Sequence, residues 1–182
     1  MPTIIEIKEK EVIKKAVLLV NKGGWDELNA RSLAKSLNIS TKPLYRMFGG
    51  MDEIKEKVHT EIYNIYDSFV NDNVDNKNPL LSICSSYVEF AQKYSNLFIT
   101  LFLSNNLKWN NIMEVMDEKW NQATVINLVT KQGMNFKDAK DLFLNVWLYS
   151  NGLATLVATN EIKIGKEEIK ERICEVYEKF KK

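Results

Sequence analysis

The sequence predicts an all-α protein. Apolar residues recur with helical spacing along most of the 182-residue chain, and the alternation typical of β-strands is hard to find. Only three prolines and seven glycines interrupt it, and its composition, 45% hydrophobic and 27% charged, is that of an ordinary globular protein. A chain of this length holds one medium domain, or a small domain joined to a larger one.

A first helix is predicted over residues 5–22. Its apolar stripe consists of Val12, Ile13, Ala16, Val17 and Val20. Gly23 and Gly24 are expected to end the helix, because glycine is a poor helix-interior residue. Trp25 and Leu28 are then expected to fill a small core.

Two short helices joined by a tight turn follow, over 30–37 and 41–48. Asn29 precedes the first of them and suits the N-cap position. Asn38 lies in the turn, where a helix-turn-helix needs a residue with positive φ, and asparagine tolerates that conformation best after glycine.

The third helix is expected to begin after Ser40, whose hydroxyl suits an N-cap. Pro43 falls in the first turn, where its missing N–H costs little. Leu44 and Phe48 lie one turn apart and form the apolar pair expected to face the core.

A long fourth helix is predicted from residue 52 to about 70. Asp52 and Glu53 suit its positive N-terminus. At roughly 1.5 Å per residue the helix is about 30 Å long, enough to leave the first three helices and enter the rest of the chain. A polar loop over 71–79 follows it. The apolar residues that recur along this helix are Ile54, Val58, Ile62, Ile65, Tyr66 and Phe69.

Two of the later helices suggest an interface. Five are predicted in all, over 80–94, 97–104, 110–132, 138–160 and 166–181. The fourth of these is apolar around nearly its whole circumference, and Ser150, Ala154 and Ala158 form a small-residue row along it. The last helix is amphipathic. Such a pair forms either a dimer interface or the core and lid of one monomer, and the pattern leaves both open.

Charge is distributed unevenly along the chain, whose net charge is +1. Residues 1–48 carry nine Lys/Arg against five Asp/Glu, a balance of +4, and the remainder carries sixteen against nineteen, a balance of −3. A basic first segment on an acidic remainder suits a protein that touches a polyanion with one end.

The residue content argues against an enzyme or a metal protein. Cys84 and Cys174 lie far apart, outside any metal-ligand spacing. His59 is the single histidine and is expected to be partly solvated. Neither a nucleophile with its base nor a zinc-ligand set is found, and no cofactor is expected.

The sequence also argues against export and membrane insertion. Its first residues mix charges too early for a signal peptide, and no apolar run reaches the length of a membrane span. A cytoplasmic protein without a membrane partner is expected.

The stretch GGWDELNARSLAKSLNISTKPLYRMFGGMDEI, residues 23–54, resembles the N-terminal domain of the TetR family of bacterial transcriptional regulators. The match covers about the first third of the chain, in order and without gaps. The matching positions are Gly24, Trp25, Leu28, Arg31, Leu33, Ala34, Leu37, Ile39, Ser40, Leu44, Tyr45, Phe48, Asp52 and Glu53. The segment WLYSNGLATL, residues 147–156, is similar to part of one subset of TetR-type C-terminal domains, with Asn151 where that subset has histidine.

The resemblance implies a three-helix helix-turn-helix DNA-binding domain over residues 1–50 and a helical effector-binding and dimerisation domain over residues 51–182. The helix from 52 to about 70 would link the two. It further implies a homodimer formed through the last two helices and a palindromic double-stranded DNA operator. A small-molecule effector of unknown identity would release the DNA, and the protein would most often act as a repressor.

Carried over by position, the implied DNA contacts lie on the third helix and at the start of the second. The physical chemistry agrees, since helix N-termini and cationic side chains suit phosphate and a tyrosine hydroxyl can hydrogen-bond. The predicted DNA-binding residues are Asn29, Arg31, Ser40, Thr41, Lys42, Pro43, Tyr45 and Arg46.

The chain departs from the family pattern around residue 50. Gly49, Gly50 and Met51 replace the polar residue and lysine that usually open the fourth helix, and Met47 replaces a usual histidine or tyrosine. These departures motivate an alternative, a helical small-molecule-binding or protein-interaction module with weakened or lost DNA binding.

Aromatic and methionine side chains are plentiful after residue 62, and most are expected in the core. Some are expected to line an effector cavity, with Asn151 as a polar handle. The predicted ligand-binding residues are Tyr66, Tyr87, Met113, Met116, Trp120, Trp147 and Asn151.

Overall fold

The computed structural model describes residues 8–104, 111, 114–115 and 119–181, and the regular structure in these ranges is entirely helical. This confirms the predicted fold class. The helices are α1 (Glu9–Glu27), α2 (Ala30–Ser36), α3 (Lys42–Met47), α4 (Met51–Asn71), α5 (Pro79–Lys93), α6 (Ser95–Phe98), α7 (Lys119–Gln132), α8 (Phe136–Asn160) and α9 (Lys166–Phe180). A π-helical turn, Ile99–Leu103, directly follows α6.

Helices α1 to α3, here called the head, close around a small apolar core. The predicted α1 stripe is buried. Gly23 and Gly24 depart from helical φ and ψ, so the regular helix breaks where the sequence predicts, although one further turn runs to Glu27. Leu28 is buried, and Trp25 is half-buried and packs against the core, as predicted.

Helix α4 joins the head to the rest of the chain. Its residues Ile54, Val58 and Ile62 are buried, and it contacts both α1 and α5. A second connection runs through α6, where the Asn96 side-chain amide donates a hydrogen bond of 2.9 Å to the backbone carbonyl of Asn21 on α1. The head is therefore tied to the remainder by two separate helices.

Helices α5 to α9, here called the body, are organised around α8, which lies against both α5 and α9. The small-residue row of Ser150, Ala154 and Ala158 is buried within the single chain. Its close helical neighbours are thus in the same protomer. The opposite side of α8 leaves Leu148 and Leu156 about half exposed.

Two predicted helices differ from the structure. The stretch predicted as one helix over 97–104 starts earlier, with α6, and then widens into the π-helical turn. Side-chain periodicity does not separate i+4 from i+5 backbone bonding, so the turn could not be read from the sequence. The helix predicted over 110–132 is described from Lys119 to Gln132, and most of its first part lies outside the described residues.

Helix α8 is long and apolar enough, by length and composition, to cross a membrane, which the sequence did not predict. The core helix of a soluble protein passes the same test. In this protein the helix has a buried face against α5 and α9, as a core helix does.

Candidate functional site

Asn29 caps the N-terminus of α2, as predicted. Its side-chain oxygen accepts hydrogen bonds from the backbone N–H groups of Arg31 at 3.1 Å and Ser32 at 3.0 Å. The Ser32 hydroxyl oxygen in turn accepts from the backbone N–H of Asn29 at 3.1 Å, which completes a capping box. The side-chain oxygen of Asn29 is therefore engaged within the protein. Its side-chain NH2 group is the part that can contact a ligand.

Asn38 forms the turn between α2 and α3 with φ of 55°, which confirms the predicted left-handed conformation. The backbone N–H of Ile39 donates to the carbonyl of Ala34, and that of Asn38 donates to the carbonyl of Lys35. These two bonds make a Schellman motif, which satisfies the last carbonyls of α2. The turn sets the direction in which α3 leaves.

The predicted Ser40 cap is wrong, because the N-cap of α3 is Thr41 and no side chain caps it. Pro43 stands at the second position of this helix, so it removes one of the two backbone N–H groups that the Thr41 hydroxyl could cap.

Helix α3 is anchored on one side and free on the other. Leu44 and Phe48 are buried, as predicted. Lys42, Tyr45 and Arg46 are exposed, with 55% of Tyr45 accessible. Within the described part of the chain, neither Lys42 nor Arg46 forms an ion pair. Arg31 on α2 has no ion pair there either.

The remaining predicted DNA-binding residues border the same surface. Ser40 is exposed, and Thr41 and Pro43 are half-buried at the start of α3. Six of the eight predicted positions are therefore exposed, and the other two are half-buried. The arrangement presents hydroxyl, guanidinium and ammonium groups that can bind phosphate and base edges.

The turn from α3 to α4 contains residues that depart from the TetR family pattern. The backbone N–H of Gly49 donates to the Glu53 carboxylate at 2.7 Å, across the first turn of α4. Met51 is half-buried and packs against the core, whereas Met47 is 36% exposed. Neither methionine supplies a charge to this surface.

In the body, two predicted ligand-binding tyrosines meet within an aromatic cluster. The rings of Tyr66 and Tyr87 pack edge to face with centroids 6.2 Å apart. The Tyr87 hydroxyl donates to the Asn151 side-chain oxygen at 3.0 Å, so the predicted polar handle is joined to a predicted aromatic residue. Burial among these groups raises the pKa of both tyrosines.

Of the other predicted ligand-binding residues, only Trp147 has a described side chain. Trp147 is half-buried and packs against the core. Met113, Met116 and the side chain of Trp120 lie outside the described residues.

Phe90, Phe98 and Phe102 also belong to the aromatic cluster, and none of them is a predicted ligand-binding residue. Phe102 contacts both tyrosines. Its ring lies 5.0 Å from the rings of both Tyr66 and Tyr87, measured between centroids. It belongs to the π-helical turn, for which no sequence signal exists. Cys84 is also buried, and burial raises the pKa of its thiol to about 12.

Two solved structures share this architecture over nearly their whole length. A TetR-like transcriptional regulator from Rhodococcus sp. RHA1 superposes with a TM-score of 0.63 at 14% identity, covering 94% of this chain and 93% of that chain. A putative TetR family transcriptional regulator from Vibrio parahaemolyticus gives a TM-score of 0.58 at 19% identity, covering 93% and 96%. No protein-family model and no curated protein matches the sequence. The likeness shows the fold of TetR-type regulators, with an N-terminal helix-turn-helix and a helical C-terminal part.

Proposed function

We propose that the protein is a TetR-type transcriptional regulator that binds a palindromic operator as a homodimer and acts as a repressor released by a small molecule. The observation that carries the proposal is the outward face of α3. Lys42, Tyr45 and Arg46 are exposed there, on a helix fixed from behind by Leu44 and Phe48. The shared fold supports the same assignment.

The chemistry of this face suits duplex DNA. Arg31, Lys42 and Arg46 are cations without ion pairs in the described part of the chain, so phosphate would not compete with an internal carboxylate. Tyr45 adds a hydroxyl that can bond to a phosphate or a base edge. In a dimer, two such helices would enter successive major grooves one helical turn apart, about 34 Å.

We place the dimer interface on α8 and α9. The exposed leucines Leu148 and Leu156 flank Gly152 on the side of α8 that faces away from the chain's own core. Exposed apolar side chains in a row are typical of a surface covered by a partner. A two-fold axis would place the same row of the second copy against it.

We place the effector beside Tyr66, Tyr87 and Asn151. The Tyr66 ring packs edge to face against the rings of Tyr87, Phe90 and Phe102, so an effector there would meet an aromatic surface. An effector would move the equilibrium only if it bound one head arrangement better than another. Helix α4 carries Tyr66 and also packs on α1, so it would transmit that difference. We also propose that the DNA-binding domain ends at residue 50 and that the effector-binding and dimerisation domain begins at residue 51.

The test replaces Lys42 and Tyr45 together by Met and Phe. Fluorescence anisotropy would follow binding to the DNA upstream of the protein's own gene, and to operators selected from a random pool, with unrelated duplex as competitor. The matched control carries Lys137→Met and Tyr63→Phe, which lie on exposed faces of α8 and α4. Loss of specific binding in the first variant alone is expected. Unchanged operator affinity would overturn the recognition-helix assignment.

The alternative is a helical binding module whose head does not engage DNA. The observation that favours it is the absence of charge at Met47 and Met51, which stand where the family pattern places polar contacts. The salt dependence of duplex binding separates the two proposals. A working dimer loses affinity steeply with salt because phosphate contacts release counterions. If no selected operator were bound at low salt, the module would be the better description.

A further inference from the structure

We propose that a cleft at the junction of head and body binds a small aromatic monocarboxylate. The cleft is open to solvent and has a volume of about 600 Å³. Neither Tyr66 nor Tyr87 is among the described residues that line it. Its described lining consists of Trp25, Lys55, Glu56, His59, Thr60 and Ser104. This site does not depend on the proposed DNA binding.

The carboxylate would be held by Lys55 and His59. These residues stand one turn apart on α4, so their side chains are neighbours on the same face. Lys55 is exposed and has no ion pair in the described part of the chain, whereas Lys57 pairs with Glu9 at 2.9 Å. The Nε2 atom of His59 is buried and has no hydrogen-bond partner within the described ranges. Both side chains line the cleft, so a carboxylate bound there can accept from the Lys55 ammonium and from the His59 Nε2–H.

An aromatic ring suits the opposite wall. Trp25, just after the glycine break in α1, is half-buried against the core and contributes its indole to the cleft. A planar ligand can stack on or pack against this surface while its carboxylate reaches α4. Ser104, at the end of the π-helical turn, closes the body side.

Glu56 restricts the charge of the ligand. Its side chain also lines the cleft, next to Thr60, whose hydroxyl donates to the backbone carbonyl of Glu56. One ammonium and one carboxylate leave no excess of positive charge for a dianion. A monocarboxylate that also carries a hydroxyl donor therefore suits this lining better than a dicarboxylate does. We therefore choose 4-hydroxybenzoate as the probe, with phenol and terephthalate as comparison compounds.

The full chain offers a clean spectroscopic readout. His59 is its single histidine and Trp25 is one of four tryptophans, so NMR resolves one imidazole and four indole N–H signals. The Trp25 signal is identified by its disappearance in Trp25→Phe. Titration with 4-hydroxybenzoate should shift the His59 and Trp25 signals with one common dissociation constant. Phenol and terephthalate should bind more weakly.

A pair of lysine variants tests the ion contact. Lys55→Met should weaken 4-hydroxybenzoate binding about three- to tenfold, as loss of one charge-assisted hydrogen bond at an accessible site would do. Lys137→Met, an exposed lysine on α8, should leave it unchanged. Shifts confined to other indole signals, equal binding of phenol, or no effect of Lys55→Met would each overturn the proposal. Operator affinity, measured separately without ligand, reports on the proposed function independently.

Discussion

The Glu53 carboxylate accepts a hydrogen bond from the backbone N–H of Gly49, with 2.7 Å between oxygen and nitrogen. This bond joins the residue just after α3 to the first turn of α4. The intervening Gly50 caps α4 without a side-chain bond. A negative charge is favourable at a helix N-terminus, so Glu53 stabilises the turn in two ways. This bond therefore ties the residue after the proposed recognition helix to α4.

Glu53→Ala is expected to lower the free energy of unfolding by about 1 kcal/mol, the usual effect of losing a helix-cap bond. It should also weaken operator binding, because α3 loses its tie to α4. Urea unfolding and anisotropy would measure the two effects. Asp52→Ala removes a charge from the same turn but no such hydrogen bond, and should cost less. Equal losses in both variants would assign the effect to charge alone.

Asn29 permits a separation of capping from DNA contact. Asn29→Asp keeps the oxygen that accepts from Arg31 and Ser32, and should preserve stability. It also places a negative charge beside the DNA backbone and should weaken operator binding, more at low salt than at high salt. Asn29→Ala should cost about 1 kcal/mol of stability as well. Thermal unfolding and anisotropy distinguish these results, and unchanged DNA affinity in Asn29→Asp would place the residue outside the interface.

The sequence predicted the features that depend on neighbouring residues. Asn29 was recognised as a cap and Asn38 as the left-handed turn residue because both effects act within a few positions along the chain. The buried pair Leu44 and Phe48 followed from helical spacing. The predicted Ser40 cap is wrong because the helix begins one residue later, a difference that helical spacing does not resolve.

Features that depend on tertiary packing could not be predicted from the sequence. Tyr87 and Asn151 are 64 positions apart, and no pattern in either helix indicates that their side chains meet. The contribution of Phe102 required the π-helical turn. The small-residue row on α8 shows the same limit, because its spacing predicts a close helical neighbour without indicating whether that neighbour belongs to the same chain.

The exposed leucines of α8 give a direct test of the proposed dimer. Leu148→Asp combined with Leu156→Asp would place four carboxylates in a two-fold interface, and the variant should be monomeric at micromolar concentration. Ile126→Asp, on an exposed position of α7, is the matched control. Sedimentation velocity would measure the mass, and circular dichroism would verify the helix content. A double variant that sediments like the unmodified protein would exclude this face.

The buried thiol of Cys84 predicts how stability changes with pH. Burial raises its pKa from 9.0 to about 12, although a hydrogen bond with Ser150 acts in the opposite direction. Above pH 9 the unfolded chain therefore releases a proton that the folded chain retains. The free energy of unfolding should fall between pH 9 and 12, by up to about 1.4 kcal/mol per pH unit from this group.

Cys84→Ala should make that alkaline decline shallower, because the group that releases its proton on unfolding is gone. Tyr66 and Tyr87 also have raised pKa values, so part of the decline should persist. Cys174→Ala, at a half-buried thiol on α9, is the matched control and should follow the unmodified protein. Urea unfolding under reducing conditions at pH 7, 9, 10 and 11 measures the slope. The comparison uses the slope of the unfolding free energy against pH and not the absolute stability, so the cavity left by Cys84→Ala does not affect the result. An unchanged slope would show that the thiol is already ionised in the folded protein.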